Sequence, residues 1–134
     1  MLRLHWSPDS ANLVVRIALH SLGLPFEAVR VDRSSGHLRS PDYLALNPQG
    51  LLPVLEDGKL VLFETAAILL HLADRTDRLG ADGPPAKNAE ARARFLRWLF
   101  YVSNTVHADL RVAFYAYRYV PEAHIPGLVG GVRA

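Results

Sequence analysis

The sequence predicts an α/β domain on a mixed four-stranded sheet, ordered β-α-β then β-β-α, followed by the start of an all-α domain. Three observations predict it. Two short alternating stretches flank a helix-spaced run before residue 32. The pair Asp57-Gly58 stands between two apolar runs, a strong hairpin signal. From about Lys87 to Tyr117 apolar residues recur at helical spacing.

The elements can be justified in order. Leu2-Arg3-Leu4-His5-Trp6 alternates and reads as a strand, and Ser7-Pro8-Asp9-Ser10 is turn chemistry. Leu13, Val14, Ile17, Ala18 and Leu22 then recur at three- and four-residue steps, the apolar face of a helix that Gly23 and Pro25 stop. Phe26 to Val31 alternates again. A strand, a helix and a strand of this length imply a right-handed crossover and a parallel pair. Residues 33–40 are polar and contain Gly36, so they read as a loop, and Asp42 to Leu46 fits one short helix. Val54-Leu55-Glu56 and Lys59-Leu60-Val61-Leu62 form the hairpin strands. A helix from Thr65 to about Arg75 closes the sheet with Ile68, Leu69 and Leu72.

Gly80-Ala81-Asp82-Gly83-Pro84-Pro85 is linker composition. The long helix after it carries Phe95, Trp98, Leu99, Val102, Val106 and Leu110 on one side, with Glu90 four residues before Arg94. Pro121, Pro126 and Gly127 are expected to interrupt the chain beyond that helix. The expected domains are 1–78, a linker over 79–86, and a partial helical domain over 87–134. Because the chain stops inside a helical segment that reads as unfinished, a fragment or truncated product is expected.

Composition excludes several function classes. The 134 residues are 50% hydrophobic and 21% charged, which is globular rather than disordered. The net charge is +2 with both signs interspersed. Arg92, Arg94 and Arg97 alternate with apolar residues and read as a solvated helix flank, so no nucleic-acid partner is expected. Cysteine is absent, which removes any disulfide, zinc-thiolate site or cysteine nucleophile from these residues. His5, His20, His37, His71 and His124 show no metal-ligand spacing, so no metal is expected. No signal sequence or membrane-length apolar run is visible; a cytoplasmic protein without a membrane partner is the expectation.

The densest stretch is Asn47-Pro48-Gln49-Gly50-Leu51-Leu52-Pro53-Val54-Leu55. Pro53 opens a strand, a place strands tolerate proline. X-Pro bonds are the common site of cis peptides, although the trans form is much commoner overall. Just past the hairpin, Glu64-Thr65 opens the Ala/Ile/Leu helix. Asn-Pro-x-Gly-x-x-Pro-x-Leu, a hairpin, then Glu-Thr before a helix resembles the glutathione-binding half of the cytosolic glutathione S-transferases. The usual family form has Glu-Ser, and Thr65 keeps the hydroxyl.

The resemblance implies a thioredoxin-like fold for roughly the first 78 residues, a cis Leu52–Pro53 bond, glutathione as co-substrate and a homodimer. Glutathione carries an ammonium and a carboxylate on its γ-glutamyl end. Glu64 can take the ammonium; the Thr65 hydroxyl and the first N–H groups of the helix can take the carboxylate. Thr65 could instead merely cap that helix. The Leu52 backbone would pair with the cysteinyl part as an added strand.

By resemblance, Ser10 falls at the serine that activates the thiol in the delta- and theta-like classes, with Asn12 as a second donor and Ser7 as a weaker third. Ser10 could equally be a helix N-cap. The bacterial beta class has a cysteine where this chain has Ala11. The tyrosine of the alpha, mu and pi classes has no counterpart, which implies a bacterial, serine-type member. His107 resembles a beta-class histidine that faces the electrophile cleft, and Tyr101 could line it too. The function implied is attack of an activated glutathione thiolate on a small electrophile, by conjugation or peroxide reduction. The alternative is a non-catalytic interaction or regulatory module of the same fold, since Phe95, Trp98, Leu99 and Phe114 would leave an apolar patch exposed.

Overall fold

A computed structural model describes residues 1–76 and 89–133. The chain divides into two compact units, Met1–Arg92 and Ala93–Ala134. The expected linker, residues 79–86, lies outside the described residues.

The first unit holds β1 (Leu2–Trp6), α1 (Asn12–Ser21), β2 (Phe26–Arg30), α2 (Pro41–Leu46), β3 (Val54–Asp57), β4 (Leu60–Phe63) and α3 (Thr65–Thr76). The sheet order is β2-β1-β3-β4. β1 and β2 are parallel, while β3 runs antiparallel to both β1 and β4. This is the mixed thioredoxin-like sheet the patterns predict.

Strand alternation sends side chains to two cores. On one face Leu2, Leu4 and Leu55 meet Val15, Ala18, Leu19 and Leu22 from the α1 segment and Ile68 and Leu72 from α3. On the other, Val54 meets Tyr43 of α2 and Val31. α2 starts cleanly because Ser40 caps it, accepting from the Tyr43 N–H, and Pro41 follows at its first position.

Four expectations need correction. The buried side of α1 is Asn12, Val15, Ala18 and Leu19; Leu13 and Ile17 are 62% and 56% exposed. This helix has apolar residues on two sides: of the stripe read from the sequence Ala18 and Leu22 are buried, while Leu13, Val14 and Ile17 face outward. The hairpin is shifted by one residue: Asp57 pairs with Leu60, so Gly58-Lys59 is the loop. Gly58 has φ +63° and Lys59 does not share the positive φ, the pattern of a type II′ turn with glycine first.

The long helix is broken into α4 (Ala89–Tyr101) and α5 (His107–Phe114) by a wide π-turn over Val102–Val106. There the His107 N–H reaches back to the Val102 carbonyl. Ser103, Asn104 and Thr105 are poor helix formers whose side chains compete for backbone groups. Along this segment Trp98, Val102, Leu110 and Phe114 are exposed, while Phe95, Leu99 and Val106 are half-buried. Finally, Pro126 and Gly127 do not stop the chain; they lie in the first turn of α6 (Ile125–Arg133). A proline there lacks an N–H that would have no helical partner anyway. Among the described residues no helix is long and apolar enough to cross a membrane.

Candidate functional site

Sheet register brings three segments to one end of the first unit. His5 of β1 faces Val54 of β3, and Val54 faces Phe63 of β4. One step beyond these pairs lie the Ser7–Ser10 turn, Leu52–Pro53 and Glu64–Thr65. Two strand spacings separate the outer segments, about 10 Å. A fully extended tripeptide reaches about 10 Å as well.

The middle segment is fastened from below. The bond before Pro53 is cis, as the resemblance implies. The Leu51 carbonyl accepts from Tyr43 Oη at 2.9 Å and from Asn47 Nδ2 at 3.0 Å. Asn47 Oδ1 accepts from the Gln49 N–H at 3.0 Å, and its carbonyl accepts from the Gly50 N–H at 2.9 Å. Arg39 Nη1 donates to the Gln49 carbonyl at 3.1 Å. Gly50 has φ +63°, and a Cβ there would lie 2.6 Å from the Leu38 carbonyl oxygen, so no other residue fits. Tyr43 is buried, which pushes its hydroxyl pKa up to about 12 and keeps it a donor. The Leu52 N–H and C=O, by contrast, have no partner among the described residues.

Glu64 joins β4 to α3 with φ +70°, a conformation that costs a side-chain-bearing residue about 1 kcal/mol or more. Its carbonyl accepts the first helical bond, from the Ile68 N–H at 3.0 Å. Its carboxylate is exposed, and neither it nor the half-buried Thr65 hydroxyl has a partner among the described residues. The Thr65 side chain therefore does not cap α3. A carboxylate, a hydroxyl and the free N–H groups of a 12-residue helix stand side by side. They can hold a zwitterion, ammonium on one and carboxylate on the others.

In the third segment Ser10 is not an N-cap. Ala11 occupies that position and no side chain caps α1. Ser10 Oγ donates to the Ser7 carbonyl at 3.1 Å. Asn12, buried, donates through Nδ2 to that carbonyl and to Ser10 Oγ. Arg33 Nη1 holds the same turn by donating to the Asp9 carbonyl at 3.1 Å.

Tyr101 and His107 belong to the second unit, at either end of the π-turn. Both are exposed, and Tyr101 meets the Trp98 ring edge-on at 5.7 Å. No bond joins Tyr101 to His107 among the described residues. No group of His, Asp and Glu among the described residues is placed to hold a metal ion.

The sequence reading missed Arg33, Arg39 and Tyr43. Arg33 and Arg39 look like ordinary loop cations, and Tyr43 like any apolar helix residue. A tyrosine in a short helix just before an Asn-Pro-x-Gly stretch is the one signal that could have been used.

The chain matches the family model of the glutathione S-transferase N-terminal domain over residues 3–74. Glutathione S-transferase 3 of Zea mays is 43% identical over 110 residues, 81% of this chain and 48% of that protein. Glutathione S-transferase GST-4.5 of Xanthomonas campestris pv. campestris is 35% identical over 123 residues, 90% of this chain and 57% of its own. The crystal structure of a glutathione transferase homologue from Sulfitobacter, with bound glutathione, superposes with TM-score 0.80 at 27% identity, covering 98% of this chain and 63% of that one. The chain thus spans about half the length of the curated relatives it matches.

Proposed function

This chain belongs to the glutathione S-transferase family, and from that premise we propose that it binds glutathione across the sheet end and activates its thiol. The γ-glutamyl ammonium pairs with Glu64. The γ-glutamyl carboxylate takes the Thr65 hydroxyl and the first N–H groups of α3. The cysteinyl backbone pairs with Leu52 beside Pro53, and the sulfur comes to the turn of Ser10 and Asn12. A thiol titrates near pH ~8.5, so donors at that turn enlarge the thiolate fraction at neutral pH. The thiolate then attacks a small electrophile, with conjugation or peroxide reduction as the outcome. Catalysis comes from positioning and anion stabilisation, without a covalent enzyme intermediate. Tyr101 and His107 are the proposed contacts of the electrophile. Domain limits of 1–78 and 87–134, a homodimer and a cytoplasmic setting belong to the same proposal.

The observation that carries this reading is the meeting, at one sheet end, of three sets of unengaged groups: the Leu52 backbone, the Glu64 carboxylate and the Thr65 hydroxyl. Titration calorimetry with glutathione tests it. Binding is expected, weakened about tenfold or more by Glu64→Ala, since a charge-assisted pair is lost. No heat at millimolar glutathione would overturn the reading.

The second reading, a non-catalytic interaction module, draws on Trp98 and Phe114, which are 58% and 75% exposed. Glutathione binding without turnover on a panel of electrophiles would favour it.

A further inference from the structure

Three segments meet at the sheet end, and a fourth grips two of them. It is the loop over residues 32–40, between β2 and α2. Just before it Val31 is buried, and its N–H donates to the Trp6 carbonyl at 2.8 Å, so the loop leaves the sheet beside the end of β1. Asp32 Oδ1 then accepts from the Ser34 N–H at 2.8 Å and from Ser34 Oγ at 2.6 Å. The Ser35 hydroxyl donates to the Asp32 carbonyl at 2.9 Å. These bonds fix the backbone on both sides of Arg33. Its guanidinium crosses to the turn beyond β1, where Nη1 lies 3.1 Å from the Asp9 carbonyl oxygen and 3.4 Å from that of Pro8. From the far end of the same loop Arg39 donates to the Gln49 carbonyl at 3.1 Å, just before Leu52. One braced loop thus holds both walls of the gap between the Ser7–Ser10 turn and Leu52.

The turn has a use for that grip. Asp9 has φ +52°, a left-handed backbone that a residue with a side chain disfavours. The bonds of Ser10 and Asn12 to the Ser7 carbonyl hold only the inner side of the turn. Pro8 and Asp9 lie exposed at its outer corner, and Arg33 reaches that corner from a different segment. We propose that Arg33 is a positioning residue for the sulfur end of the site. It sets the Pro8–Asp9 corner, and with it the gap that the cysteinyl side chain spans from Leu52 to the turn. The proposal rests on the glutathione reading above. Arg33 meets neither the peptide nor the sulfur; it acts through the backbone it holds, and no covalent step is involved.

The test compares two ligands by titration calorimetry: glutathione, and γ-glutamyl-2-aminobutyryl-glycine, in which a methyl group replaces the sulfhydryl. Both engage Glu64, Thr65 and Leu52, but only glutathione brings a sulfur to the turn. The parent chain is expected to bind glutathione about tenfold more tightly than the analogue. Arg33→Ala should weaken glutathione about fivefold and leave the analogue within about twofold, so most of the discrimination is lost. Arg33→Lys keeps a donor on a long stem and should restore most of it. A merely structural role would weaken both ligands alike. Arg33, Pro8 and Asp9 are exposed, so water can replace the lost bonds and the variant is expected to fold. Should Arg33→Ala not fold, Arg33→Met keeps the apolar stem without donors and carries the same expectation. Equal losses for both ligands, unchanged discrimination in the donor-free variants, or a parent that does not discriminate overturns the assignment and leaves the glutathione reading intact. A parent chain that binds neither ligand overturns both.

Discussion

The Asn47–Pro53 loop and the Glu64–Thr65 junction lie at the same sheet end and treat their polar groups in opposite ways. In the loop nearly every group is engaged: Tyr43 and Asn47 on the Leu51 carbonyl, Asn47 on Gln49 and Gly50, Arg39 on Gln49. In the junction the backbone is strained at Glu64, and both side chains stand free of partners among the described residues. The first region holds a shape. The second offers groups that only something outside the chain can satisfy. The contrast separates residues that build a site from residues that meet a ligand, and mutation should separate them the same way.

The largest effect is expected at Gly50. Gly50→Ala adds a Cβ that collides with the Leu38 carbonyl in a left-handed backbone. Chemical denaturation should show a loss of about 3 kcal/mol or more. A loss under about 1 kcal/mol would mean that the loop is far softer than its bonds suggest.

Next is Tyr43→Phe, which leaves Asn47 alone on the Leu51 carbonyl. The expected cost is about 1–2 kcal/mol by urea titration. It carries a pH signature. Burial raises the folded pKa of Tyr43 to about 12 from a usual value of 10. The folded state therefore holds this proton more tightly than the unfolded one. That contribution is complete below pH 10 and is lost as pH rises toward 12. The phenylalanine variant should lack this part of the alkaline decline, and an unchanged decline would contradict the assignment.

Glu64 should behave in the reverse sense. Glu64→Gly relieves the positive φ, so stability should be unchanged or higher by up to about 1 kcal/mol. Glutathione affinity should nonetheless fall as far as in Glu64→Ala. Loss of stability with affinity retained would assign Glu64 to the framework instead.

The smallest effect is expected at the far end of the sheet. There Asp57 accepts from His71 Nε2 at 2.9 Å and from Arg75, tying α3 to the hairpin. These partners, the His71 hydrogen bond first, hold the Asp57 pKa below its usual value. Its contribution is present above about pH 4 and is lost as pH falls through the lowered folded value. Asp57→Asn should cost less than about 1 kcal/mol at neutral pH, flatten that part of the acid transition in a urea series, and leave glutathione affinity unchanged.

Local pattern carries only some of these features, and the reasons are physical. The succession of strands and helices, the hairpin and α3 were readable because alternation and turn residues act within a few positions. Leu52, Pro53, Glu64 and Thr65 can be proposed from sequence because each pair sits in a short contiguous motif. The outer stripe of α1 misled because Leu13, Val14 and Ile17 are as apolar as Val15 and Leu19, and only the sheet decides which side is covered. The one-residue shift of the hairpin loop turned on whether Gly58 stands first or second in the turn. The break at Val102–Val106 was hidden because its outer residues keep the apolar spacing. Tyr43, Arg39 and Arg33 act on carbonyls eight, ten and about two dozen residues away, distances at which spacing carries no signal. The role of Ser10 was ambiguous for a different reason: a cap and a donor ask for the same hydroxyl, and only the bond to the Ser7 carbonyl removes the first.

The most direct measurement is a glutathione titration followed by amide resonances of the isotope-labelled chain. The amides of Leu52, Thr65 and Ala66 should move together, along one binding curve, while those of Gly58 and Lys59 at the opposite sheet end stay still. Shifts centred on the hairpin tip, or no shift at Leu52 and Thr65 at saturating glutathione, would contradict a ligand stitched across that end of the sheet.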